Sequence, residues 1–84
     1  MPAAKEGLVF VTPLDFEIFQ CDYDGNNNLI YLGRAIKGSS TSNPVWAILK
    51  ITYDGNNNLI SILESPSYSG YGDIWANRTS LTYN

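Results

Sequence analysis

The chain reads as a small all-β protein: an antiparallel sheet or sandwich built from two β-hairpins, with an irregular C-terminal segment packed across it. Three observations predict this. The segment Tyr23-Asp-Gly-Asn-Asn-Asn-Leu-Ile30 recurs unchanged at Tyr53 to Ile60. The residues flanking both copies alternate between faces as strands do. No window carries an apolar helical stripe with end caps.

The first strand signal is Leu14 to Ile18, where Leu14, Phe16 and Ile18 share one face and Asp15 and Glu17 the other. The opposite face of that stretch reads as solvated. Asp-Gly followed by asparagines, side chains that tolerate positive φ, then predicts a tight turn from Asp24 to Asn28, with Gly25 a position where such turns often need positive φ. Leu29 to Ile36 returns as the second strand. Lys37 to Pro44 is small and polar, a flexible connection. Val45 to Tyr53 is apolar on one face (Val45, Ala47, Leu49, Ile51, Tyr53) and half apolar on the other (Trp46, Ile48, Lys50, Thr52). Such a strand belongs at the centre of a sheet or beneath a partner. The repeated turn from Asp54 to Asn58 and a strand from Leu59 to Leu63 close the second hairpin. Ser65 to Gly72 is loop chemistry. One helical turn, Ile74 to Asn77, has Asp73 placed to cap it.

Length and composition narrow the function. Eighty-four residues allow one domain, 1–84, with a modest core. Net charge is −3, and the cations Lys5, Arg34, Lys37, Lys50 and Arg78 are scattered, so no basic track for nucleic acid is expected. Histidine is absent and Cys21 is the sole cysteine. This argues against His-based acid–base chemistry and a thiolate metal cage, and leaves Cys21 as a small buried or half-buried side chain. The apolar stretch from Leu8 to Val11 is broken at Pro13, Asp15 and Glu17, too early for a signal-peptide core, and no run is long enough to span a membrane. The expectation is a chain made in a cytoplasm.

The turns invite a calcium reading, because Asp24, Asn26 and Asn28 have the spacing of the first ligands of a calcium loop. No carboxylate stands at the twelfth position, and strands replace the flanking helices, so a plain turn is preferred. No nucleophile–base pair is assembled. The expectation is therefore no enzyme, no cofactor and no metal. The aromatics are the most informative side chains: Trp46 and Trp75 could serve a core, a protein interface or a sugar platform.

From Tyr31 onward the chain carries Tyr31-Leu-Gly-Arg-Ala, Gly38-Ser-Ser-Thr-Ser, Trp46-Ala-Ile-Leu-Lys-Ile-Thr-Tyr-Asp-Gly and Trp75-Ala-Asn-Arg-Thr-Ser-Leu-Thr-Tyr83. In that order and spacing it resembles a family of short virion structural proteins of tailed bacteriophages. The resemblance covers residues 31–84, and it is looser between Leu63 and Ile74, where Glu64-Ser-Pro replaces a commoner aromatic–acidic stretch. It implies a non-enzymatic structural or decorating subunit of capsid, neck or tail, located in the virion and assembled in the host cytoplasm. The implied partners are other virion proteins and further copies of the chain. Trp46, Trp75, Arg78 and Tyr83 are the packing or contact candidates, with Arg78 expected to pair with Asp73 or a nearby carbonyl. The alternative is a carbohydrate- or receptor-binding β-module of a tail fibre.

Overall fold

The computed structural model describes residues 17–84. Its strands are β1 (Glu17–Tyr23), β2 (Leu29–Ile36), β3 (Pro44–Tyr53), β4 (Leu59–Glu64) and the short β5 (Asp73–Ile74). β1 to β4 pair antiparallel in sequence order, so two hairpins lie side by side in one sheet rather than facing each other as a sandwich. β5 pairs with Pro44 and Trp46, ahead of the stretch of β3 that β2 and β4 use. The expected strand from Leu14 is described only from Glu17; Leu14, Asp15 and Phe16 lie outside the described residues.

Both repeated turns fold identically. The Asp24 amide donates to the Asn28 carbonyl (2.9 Å) and the Asn27 amide to the Asp24 carbonyl (3.1 Å); Asp54, Asn57 and Asn58 repeat both bonds at the same lengths. This is a β-turn followed by one left-handed residue, the usual three-residue hairpin connection. The left-handed residues are Asn27 (φ 64°) and Asn57 (φ 65°). The expectation of positive φ at Gly25 is therefore corrected: asparagine, which tolerates that region, occupies it. Each turn is followed by a register shift, at Tyr23 opposite Leu29 and at Tyr53 opposite Leu59.

The register sorts the side chains onto two faces. One face carries Ile18, Gln20 and Asp22 of β1, Tyr31, Gly33 and Ala35 of β2, and Trp46, Ile48 and Lys50 of β3. The C-terminal segment crosses this face and buries it. Trp46, Ile48 and Ala35 are fully buried, and Trp75, on a 3₁₀ helix from Trp75 to Ser80, is 6% exposed. The two indole rings pack with centroids 5.9 Å apart and a 42° tilt, a favourable aromatic geometry. They meet over Gly33. A Cβ built there would lie 2.6 Å from Trp75 Cε3 and 3.1 Å from Trp46 Cε3. The bare backbone of β2 is the floor on which both indoles rest.

Two further expectations are corrected. Asp73 does not cap the helix; its carboxylate accepts the Ser67 amide at 2.9 Å, and Ile74 holds the capping position without a side-chain bond. The Ser65–Gly72 stretch is more ordered than loop chemistry suggests. Ser65 is buried, its amide donates to the Ile48 carbonyl (2.9 Å), and its Oγ accepts the Ile48 amide (3.1 Å), which continues the β3 ladder past the end of β4. A 3₁₀ turn, Tyr68–Gly70, follows.

Trp75→Ala should cost about 3–5 kcal/mol in chemical denaturation, because it removes a buried indole. Gly33→Ala should cost about 1–3 kcal/mol by forcing both rings away from β2. Gly25→Ala and Gly55→Ala should stay close to the parent, because a Cβ at either position meets nothing within 4 Å. A Gly33→Ala variant as stable as the parent would contradict the packing described.

Candidate interaction surface

The four residues singled out from sequence converge on the sealed face. Trp46 is fully buried, and its Nε1 donates to the Ser40 carbonyl at 2.9 Å. Arg78 lies across Trp75, its guanidinium carbon 4.7 Å from the ring centroid. Its Nε donates to Asp22 Oδ2 at 3.0 Å and its Nη1 to the Trp75 carbonyl at 3.3 Å. The expected pairing of Arg78 with Asp73 is thus replaced by one with Asp22, from the first strand; the carbonyl bond is present. Both side chains of this ion pair are about a quarter to a third exposed (26% and 30%), so the pair orients the helix more than it stabilises the fold. The Tyr83 hydroxyl donates to the Arg78 carbonyl at 2.8 Å, and its ring packs 5.9 Å from Tyr31. Burial is the main reason its phenol stays protonated far above the ordinary range, with charge repulsion from the Tyr31 phenol group adding to it. These four groups hold the C-terminal segment on the sheet. The indoles are not presented to solvent.

The opposite face is where the molecule meets its surroundings. Across it run Cys21, Leu32 and Leu49 in register, with Ile51 and Ile62 beside them and Phe19 at one end. Phe19 is 43% exposed, Ile62 53% and Ile60 63%, and Leu32 and Leu49 are half-buried. Cys21 is exposed here, which corrects the expectation of a covered thiol: its strand face is the uncovered one. Ile51, beside Ile62, is itself buried, and one end of this face is covered. There Arg34 sits between Tyr68 and Tyr71, with ring centroids 5.8 and 5.5 Å from its guanidinium carbon, and the Tyr71 hydroxyl donates to Glu17 Oε2 at 2.9 Å. Glu17, expected to be solvated, therefore has a partner. An antiparallel sheet with one covered face normally alternates to polar residues on the other. This one does not. The signal was present in β3, apolar on both faces, and in Leu59-Ile-Ser-Ile-Leu63, which carries no charge.

At one end of the sheet the twin turns touch: Asn28 Nδ2 donates to Asn57 Oδ1 at 2.9 Å. Between them lies a cleft of about 370 Å³ lined by Asp24, Asn28, Tyr53 and Asp54 among others. Its carboxylates are occupied with their own turns. Asp24 Oδ1 accepts the Asn26 and Asn28 amides at 2.8 and 3.0 Å, and Asp54 Oδ1 accepts those of Asn56 and Asn58 at the same distances. These bonds, led by the amide four residues on, hold both carboxyls below the usual aspartate range. Among the described residues no three Cys, Asp or Glu side chains gather as metal ligands would, and no helix is long and apolar enough to cross a membrane.

Comparison of the chain with protein-family models, with curated proteins and with solved structures returns no match.

Because folding lowers the Asp24 and Asp54 pKa values, these groups stabilise the fold above the unfolded aspartate pKa of about 3.9, and that contribution disappears as pH falls through the folded values. The melting temperature should therefore drop on acidification below about pH 4, and the drop should shrink in the Asp24→Asn, Asp54→Asn double variant. Millimolar calcium should leave the melting temperature unchanged; a rise of several degrees, reversed by chelator, would make the turns a metal site.

Proposed function

We propose that the chain is a non-enzymatic structural or decorating subunit of a tailed-bacteriophage particle, acting through protein–protein contacts. The observation that carries this reading is the apolar face of the sheet that the C-terminal helix does not cover, where Phe19, Cys21 and Ile62 are exposed and Leu32 and Leu49 half-buried. Exposed apolar surface of this kind, beside a small core, is the mark of a surface that a protein partner covers. The order of motifs from Tyr31 to Tyr83 supplies the virion context.

The carbohydrate-binding alternative is less well supported. A sugar platform needs exposed rings, and both indoles are buried where the C-terminal segment meets the sheet.

Quantitative mass spectrometry of particles purified from lysates of the producing cells should find the chain at many copies per particle. Phe19→Asp should keep a melting temperature within a few degrees of the parent, because Phe19 is already half in water, yet lose incorporation. A chain found only in the particle-free supernatant would overturn the proposal.

A further inference from the structure

We propose that a second copy of the chain docks on the outer edge of β4, pairing Leu59–Leu63 antiparallel with the same segment about a two-fold axis at Ser61. The pairing rests on the subunit reading above for its context and on the geometry of β4 for its form.

The hydrogen bonds of β4 orient its backbone. Ser65 donates to Ile48 of β3, whereas Glu64 faces the other way, its amide donating to the Asn84 carbonyl (2.8 Å) and its carbonyl accepting the Asn84 amide (2.9 Å). Backbone groups alternate along a strand, so Leu63 and Ser61 face β3 and Ile62 faces outward. The Ile62 amide and carbonyl have no partner among the described residues. Native edge strands are ordinarily protected by charges or proline. Leu59-Ile-Ser-Ile-Leu63 has neither, and Leu59, Ile60 and Ile62 are each more than half exposed.

The occupant follows from the segment itself. Leu-Ile-Ser-Ile-Leu reads the same in both directions, so an antiparallel copy presents identical residues in reverse order, as a two-fold contact requires. The ends set the register. Asn84 holds the outer edge at Glu64 and the Asp54–Asn58 turn closes the other end. A strand seated between them places Leu59 opposite Leu63, Ile60 opposite Ile62, and Ser61 opposite itself. The segment carries no charge to repel its copy, and Ile62 of each molecule extends the uncovered apolar face across the joint. The register shift between Ser61 and Leu59, which leaves Ile60 without a β3 partner, lies inside this segment and adds local twist there.

Sedimentation velocity of the full chain from about 1 to 100 μM should show a species of twice the chain mass. Ile62→Pro removes the outward amide and no β3 hydrogen bond, so it should stay folded and run as a monomer over that range. Should proline disturb the strand, Ile62→Lys supplies the same readout through charge. In a Cys21→Ser background, Ser61→Cys should form a disulfide dimer under mild oxidation, since residues opposite themselves on such an axis bring their Cβ atoms to about 4.5–5.5 Å. A parent chain monomeric throughout, or a dimer cross-linked through native Cys21 and not through Ser61→Cys, would overturn the pairing. Monomers that still enter particles would overturn the pairing and leave the subunit reading standing; edge-paired dimers absent from particles would do the reverse.

Discussion

The structure depends on the absence of one side chain. At Gly33 the β2 backbone is bare, and Trp46 and Trp75 both come within van der Waals range of it. Neither ring could lie so close to the sheet above any other residue. That closeness brings the C-terminal segment down onto four strands that would otherwise have no second layer, and the apolar face of a sheet must be buried against another element. Two tryptophans supply what many smaller residues would supply in a larger domain, since each buries well over a hundred square ångströms of apolar surface.

Polar bonds then fix where that segment lies. Arg78 reaches Asp22 at the far edge strand, the Tyr83 hydroxyl turns back to the Arg78 carbonyl, and Asn84 pairs with Glu64 on β4. Asp73 and Ser65 satisfy backbone amides where the chain leaves and rejoins β3. Each bond contributes little alone; a net value of about 1 kcal/mol is typical. Together they give the apolar contact one geometry. The consequence is asymmetry. The segment seals one face of the sheet and leaves Phe19, Cys21 and Ile62 of the other exposed.

Much of this was legible in the sequence. The repeated Tyr-Asp-Gly-Asn-Asn-Asn-Leu-Ile located both hairpins, and alternation gave β2 its observed bounds, because turn chemistry and strand period are local properties. The conformation inside the turns was misassigned. Asp-Gly drew positive φ to glycine, whereas the Asp24 carboxylate binds the Asn26 and Asn28 amides and shifts the left-handed residue to Asn27. The sequence leaves Trp46, Trp75, Arg78 and Tyr83 open between packing and contact, and it does not tell which face they lie on. Val45, Ala47, Leu49 and Ile51 form the more apolar side of β3, yet the core lies on the side of Trp46 and Ile48. That choice is made by Gly33 on a neighbouring strand, through a register that no local pattern encodes. Cys21 was misplaced for the same reason.

A sheet sealed on one face and unsealed on the other is a half-finished sandwich, and its unfinished side and its β4 edge meet at Ile62. Amide hydrogen exchange followed by NMR tests this most directly. Ser61 and Leu63 face β3 and should exchange slowly at every protein concentration. The outward amide of Ile62 should exchange quickly in dilute solution and become protected as concentration rises. An Ile62 amide that exchanges as fast as an unstructured chain at all concentrations, beside protected Ser61 and Leu63, would contradict the account.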